Sequence, residues 1–236
     1  MRRKVDLLSQ DKEDAVRLYR AEVRVASYLR TLVNEKFQRV RLVLQGSNAS
    51  RGTIGEVRAA LVPDVQIKAI LESLVTFLRS EIGSPEGHKH NFRVGLYVEK
   101  GGKLEPVEAF DLNTSRPDPF TSYRQHAERF DLGNTANPSY AVVCVQLGRM
   151  LIVEDCEHDP DFHHFTAAQI NYLRSLVAYP MLNFCLDGNT PARAVLMIDT
   201  NVTGHFKEDA RDKLESLIEG FAARLSLEYA IKRLVR

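Results

Sequence analysis

The 236-residue chain has no tryptophan, three cysteines and no sustained apolar run. Cys144, Cys156 and Cys185 cannot pair evenly and show no CxxC spacing. That excludes a disulfide-stapled scaffold and points to free thiols in a reducing compartment, so the cytoplasm is the expected setting. No segment approaches the ~18 apolar residues that a membrane span requires. The N-terminus begins with basic residues but lacks an apolar h-region, so no secretory signal is expected. With 44% apolar, 27% charged and 8% aromatic residues, the chain is neither disordered nor collagen-like.

The formal net charge of +1 hides an asymmetry. Residues 1–51 carry 12 Lys and Arg against 6 Asp and Glu, and the remainder carries 20 against 25. A basic arm can meet nucleic acid or an anionic membrane. Here no aromatic residues interleave with arginine, and no zinc or helix-turn-helix motif is present, so nucleic-acid binding has no positive support. Residues 11–44 contain neither Gly nor Pro and predict one long helix. Val16, Tyr19, Val23, Ala26, Val33, Phe37, Val40 and Leu44 recur at steps of three and four, with Arg30 interrupting the seam. That register predicts a coiled coil, hence a homodimer through residues 11–44 together with the C-terminal helix. The alternative is an amphipathic helix packed on its own domain.

Three regions follow: the helix at 1–45, a linker with a short helix at 46–63, and a globular domain at 64–236. QGSNASRG at 45–52 is a hinge, and Thr53 with Glu56 has capping-box spacing. Pro63 and Asp64 open a helix with Ile67, Ile70, Leu71, Leu74, Val75 and Leu78 on one side, stopped at Gly83, Ser84 and Pro85. The period then changes. FRVGLYV at 92–98 and LEPVEAF at 104–110 read as strands around a Gly101-Gly102 hairpin. Residues 111–138 read as irregular, 139–147 as a short helix ended by Gly148, and 150–154 as a strand. A polar loop at 155–164 and a helical turn at 166–172 come next. Strands at 176–184 and 194–199 flank a DGNT turn, and residues 207–235 form a closing helix. This order predicts an α+β fold, an antiparallel sheet flanked by helices.

Three strings in that domain resemble the GAF family of small-molecule sensors. They are SYAVVCVQLGRMLIVEDCEHDPDF, RSLVAYPM at 174–181, and AVLMID at 194–199 followed by Phe206 and Asp209. The resemblance spans about residues 64–235. It implies a six-stranded antiparallel sheet with helices on one side and a ligand pocket on the other. It also implies dimerisation through flanking helices and output to a downstream protein partner. The ligand is left open, with a cyclic nucleotide or another small metabolite in view, and haem or a metal as further alternatives. For a nucleotide, Asn201, Phe206 and Asp209 stand near the family's signature, but Val202 replaces its basic residue and Met197 stands where an acid is expected.

The ligand-facing residues expected on this basis are Phe110, Asp111, Tyr123, His126, Tyr140, Ala141, Asp155, Tyr172 and Arg174. His158, His163 and His164 with Asp155, Asp159, Asp161 and Cys156 form the densest set of metal-type donors, without a known metal spacing. Cys156, expected to be exposed, raises the alternative of a thiol-dependent free methionine sulfoxide reductase. No catalytic motif is found, and a regulatory role rather than catalysis is the expectation. A ligand-free dimerising scaffold is the other alternative.

Overall fold

A computed structural model describes residues 2–46, 61–81, 90–111, 119–162, 164–165, 169, 171–187 and 190–234. Helix α1 spans Arg2–Gly46 and α2 Pro63–Glu81. Strands β1 (Phe92–Lys100) and β2 (Lys103–Asp111) form a hairpin whose turn uses Gly101 and Gly102, both at positive φ. Helix α3 (Pro119–Gln125), a 3₁₀ turn at Ala127–Phe130 and helix α4 (Tyr140–Leu147) follow. Then come β3 (Leu151–Val153), β4 (Ser175–Asp187), β5 (Thr190–Thr200) and α5 (Arg211–Leu234).

The five strands make one antiparallel sheet in the order β2-β1-β5-β4-β3. Five strands were legible in the sequence, and five are present among the described residues. Three prolines lie within strands, Pro191 next to the start of β5, and Pro106 and Pro180 sit where a missing N–H is tolerated. Pro106 lies on the edge strand β2 beside a register shift. Pro180 lies on β4 beyond the three residues that β3 covers.

Alternation along β1 sets the two faces. Val94, Leu96 and Val98, with Leu196 and Ile198 of β5 and Val177 of β4, face the helices. Against them pack Ile70, Leu71, Leu74 and Leu78 of α2, and Leu214, Ile218, Phe221 and Leu225 of α5. Phe77 and Phe221 meet at 5.9 Å between ring centroids. The helical stripes expected in α2 and α5 are therefore the ones that form the core.

Helix α1 differs from its expected packing. Ala21, Val25 and Leu32 are buried against the domain, with Tyr28 and Leu29 beside them. A β-carbon at Gly220 of α5 would stand 3.1 Å from Val25 Cγ1, so the Val25 side chain packs directly on the α5 backbone. Farther along, Lys36 Nζ meets Glu228 Oε2 at 2.5 Å, and Arg224 meets Glu228 Oε1 at 2.6 Å. The predicted seam faces outward instead: Val16, Tyr19, Val23, Val33 and Phe37 are exposed, Tyr19 by 67% and Phe37 by 62%. Helix α1 thus carries two apolar stripes, and the one not read from the sequence packs on the chain's own domain.

The segment read as irregular between 111 and 138 contains α3 and the 3₁₀ turn. Pro119, at the first helical position where its missing N–H costs nothing, opens α3. The capping pair Thr53 and Glu56, the stop at Gly83–Pro85, and parts of the 166–172 and DGNT turns lie outside the described residues.

His90, Phe92, His205 and Phe206 cluster at the start of β1, with His90 and His205 rings 5.0 Å apart. Burial, reinforced by His90, pushes the His205 pKa down to about 4. An unfolded histidine titrates near 6.5, so between about 6.5 and 4 the unfolded chain binds a proton that the folded chain refuses. Stability is expected to fall as pH drops through this window. Denaturant midpoints from pH 7.5 to 4.5 check this. His205→Phe should flatten the slope, and an unchanged slope would refute the assignment.

Candidate functional site

On the face away from the helices, β1 presents Arg93, Gly95 and Tyr97, and β5 presents Met197 and Asp199. The register pairs Arg93 with Asp199 and Gly95 with Met197. These residues floor a cavity of about 70 Å³, closed by Phe130, Phe162, Phe165 and Gln169, the start of α4, and Leu173 and Leu176. The floor stays open at Gly95, where a β-carbon would stand 3.1 Å from Tyr97 Cε2.

Arg93 and Asp199 are both buried, and two guanidinium nitrogens reach Asp199 Oδ2 at 2.8 and 2.7 Å. Burial, the largest single influence, would lower the Arg93 pKa, but the charge and hydrogen bond of Asp199 together with Tyr97 and Tyr172 outweigh it and the net shift is upward. Tyr172 lies beneath the same guanidinium, 5.7 Å from ring centroid to Cζ.

A second buried cation, Arg129, enters from the 3₁₀ turn. Its guanidinium stands 4.3 Å from the Phe165 ring centroid, and its Nε donates to the Asn137 carbonyl at 3.2 Å. Burial lowers its pKa, with Glu128 opposing. Phe165 is fixed from several sides. His126 stacks on it at 5.3 Å and 13°, and its amide donates to the buried Gln169 Oε1. Phe130 stacks on Tyr97 at 5.4 Å and 12°.

The remaining wall is the first turn of α4. Ser139 caps it, its Oγ accepting from the Val142 amide, and Tyr140 and Ala141 line the cavity. The positive end of the α4 dipole therefore faces the cavity. Tyr140 donates to Asp159 Oδ1 at 3.4 Å, and burial, then the nearby Asp159 and Asp161, raises its pKa. The cavity is lined mainly by aromatic and aliphatic side chains, with two guanidiniums and one carboxylate among them.

Of the nine residues expected to face a ligand, Tyr140 and Ala141 line this cavity. Tyr172 supports Arg93, His126 backs Phe165, and Tyr123 packs edge-on against Phe130 at 5.2 Å. Phe110 pairs with Val94 and so lies on the helix side of the sheet. Asp111 is opposite Arg93 on the cavity face, outside the lining. Asp155 closes a turn, accepting from the Glu157 and His158 amides and pairing with His158 at 2.8 Å. Arg174 is ion-paired with Glu157.

Arg93, Gly95, Arg129, Phe162, Phe165 and Asp199 were missed. A signal existed: in FRVGLYV the odd positions Arg, Gly and Tyr are unlike the apolar even ones. Two residues past Met197, Asp199 is an acid that does face the cavity.

The nucleotide-type residues play structural parts. Asn201 Oδ1 accepts from the Asn91 amide, and Phe206 is buried against Phe92. His158 pairs with Asp155 and His164 Nε2 lies 3.1 Å from the Cys156 carbonyl; His163 lies outside the described residues. Among the described residues no group of three or more His, Cys, Asp or Glu could hold a metal ion. Cys156, expected to be exposed, is buried, because Leu173 and Leu176 pack over it. Burial raises its pKa and pushes that of Cys144 up to about 12. Neither thiol lines the cavity.

No family model matches the sequence, and no curated protein does. Solved structures do match. One is the GAF domain of a phosphoenolpyruvate-protein phosphotransferase from Coxiella burnetii, 14% identical with a TM-score of 0.45, covering 85% of this chain and 95% of that one. Another is a GAF domain/HD domain protein from Geobacter sulfurreducens, 13% identical, TM-score 0.44, covering 72% and 97%. The chain resembles GAF domains. A free methionine-R-sulfoxide reductase from Neisseria meningitidis, solved with its substrate, overlaps to the same degree: 16% identity, TM-score 0.43, 76% and 88% covered. Chains described as GAF domains and a sulfoxide reductase thus match alike, and overlaps of this size assign neither ligand nor reaction. Among the described residues no helix is long and apolar enough to cross a membrane.

Proposed function

We propose that this chain is a small-molecule-sensing regulatory module that dimerises and passes its signal through α1 and α5 to a partner protein. The observation that carries this reading is the largely apolar cavity with buried Arg93, Asp199 and Arg129. Burying charge is costly, and small-molecule sites combine mostly apolar walls with a few fixed polar groups in this way. The buried thiols Cys144 and Cys156 fit a reducing, cytoplasmic setting. A thiol enzyme acting through Cys144 or Cys156 is the reading the geometry supports least, because both sulfurs lie away from the cavity.

The test is mass spectrometry of small molecules released on denaturing gently purified protein, run beside Gly95→Leu. The leucine side chain would occupy the floor of the cavity. A stoichiometric compound released by the wild type and missing from Gly95→Leu is the expected result. A compound released equally by both proteins would sink the reading.

Dimerisation rests on the outward stripe of α1, which has heptad spacing and exposed apolar side chains while the opposite stripe is already buried. Val23→Asp with Val33→Asp is expected to turn a dimer into a folded monomer, because both side chains point away from the domain. Light scattering after size exclusion reads this directly. A double variant that stays dimeric removes α1 as the interface.

A further inference from the structure

We propose that the cavity on the sheet face takes a small one-ring compound with a carbonyl-type oxygen (ketone, amide or carboxylate) that accepts from the Gln169 carboxamide, the Ser139 hydroxyl serving as second donor. This rests on the sensor reading and names the class of its ligand.

Size sets the first limit. At ~10–15 Å³ of such space per water, a cavity of about 70 Å³ holds roughly five to seven waters, or one ring with a short substituent. A nucleotide exceeds that volume. Phe130, Phe162 and Phe165 supply aromatic walls on which a planar ring packs.

Two neutral donors set the second limit. Gln169 lines the cavity and is only 4% exposed. The Phe165 amide can only donate, so the Gln169 atom that it meets is the oxygen Oε1, and the other arm of the carboxamide is the NH₂. Among the described residues nothing accepts from that Nε2. Nor is Nε2 sealed inside the protein, so its open surface belongs to the part of Gln169 that lines the cavity. Ser139, 3% exposed, lines the same cavity. Its Oγ accepts from the Val142 amide, and among the described residues no group takes its hydroxyl proton. Beside it, the Tyr140 and Ala141 amides occupy the first two positions of α4, where no intrahelical acceptor exists.

These donors select the ligand. A pure hydrocarbon would strip water from them and leave them unmade, which works against binding. An ammonium offers only further donors. A carbonyl-type oxygen replaces the hydrogen bonds of the water it displaces, and its two lone pairs can serve two donors at once.

The test uses three probes of nearly one shape on the full chain: acetophenone, benzoate and α-methylstyrene, titrated calorimetrically up to millimolar concentration. The first has a neutral carbonyl oxygen, the second a charged carboxylate, and the third a CH₂ in place of the ketone oxygen. At least one oxygen probe is expected to bind about tenfold or more tightly than α-methylstyrene, the worth of one or two hydrogen bonds kept instead of lost. Benzoate ahead of acetophenone assigns the anionic form, and the reverse order the neutral one. Gln169→Glu keeps an oxygen for the Phe165 amide but removes the NH₂, so it should erase the preference for ketone over alkene and weaken benzoate further. Should Gln169→Glu fail to fold, the wild-type series decides alone. An alkene that binds as tightly as both oxygen probes overturns the assignment, as does a ketone preference that Gln169→Glu leaves untouched. If such alkene binding disappears in Gly95→Leu, the sensor reading survives with a different ligand class. If no probe binds, the assignment falls. A compound released by the denatured wild type and missing from Gly95→Leu would then still uphold the sensor reading, and its absence would take that reading down as well.

Discussion

Arg93→Met is expected to destabilise the protein by about 3–5 kcal/mol, the usual cost of removing one partner from a buried ion pair. Asp199 is buried on the central strand β5, and Arg93 is the cation that meets it, at 2.7–2.8 Å. Without the guanidinium, the carboxylate must stay charged in an apolar floor or take up a proton. Pairing the change with Asp199→Leu removes the second charge as well, and most of the loss should return, because the uncompensated charge and not the missing attraction dominates. Guanidinium denaturation of the two single variants and the double variant reads the cycle. A loss below about 1 kcal/mol for Arg93→Met would mean the pair is solvated, and the cavity as described would not exist.

Glu228→Ala is expected to have an effect of similar size at the other end of the molecule, about 3–5 kcal/mol, by stranding Lys36 and Arg224. Glu228 is fully buried in α5, with Lys36 of α1 on one carboxylate oxygen and Arg224 on the other. The consequence should be local as well as global. The polar bridge from the second half of α1 to α5 would be gone, leaving the apolar contacts of Ala21, Val25, Tyr28, Leu29 and Leu32 and the Ser216–Glu22 hydrogen bond to hold the helix. Hydrogen exchange should therefore show lower protection in α1 than in α2 or the sheet. Unchanged α1 protection in Glu228→Ala would show that the ion pairs do not hold the helix down.

How far each feature was legible follows from where its determinants lie. The core stripe of α2 was readable because one helix face meets one apolar surface, so period alone names its residues. In α1 the same logic picked a stripe that faces outward. A heptad of Val, Tyr and Phe outscored Ala21, Val25 and Leu32, which are buried in the shared core, with Val25 set on Gly220 in a helix nearly 200 positions away. Phe110 was placed in the site by resemblance, yet its register with Val94 turns it to the helix side. Asp155 and Arg174 looked like ligand groups in a polar loop and are used within it, on His158 and Glu157.

By itself the sequence determined the α+β class, the antiparallel strands, the hairpin at Gly101-Gly102 and the apolar faces of α2 and α5. All of these follow from local period and turn chemistry. The tertiary structure alone decided which residues meet in the cavity. Arg93 and Asp199 are 106 positions apart, and only the β1–β5 register places one opposite the other. Arg129 and Phe165 come from separate segments that a single sequence leaves unrelated. A shift of one residue between β1 and β5 would turn the pair to opposite faces, since side chains alternate along a strand, and no local pattern carries that register.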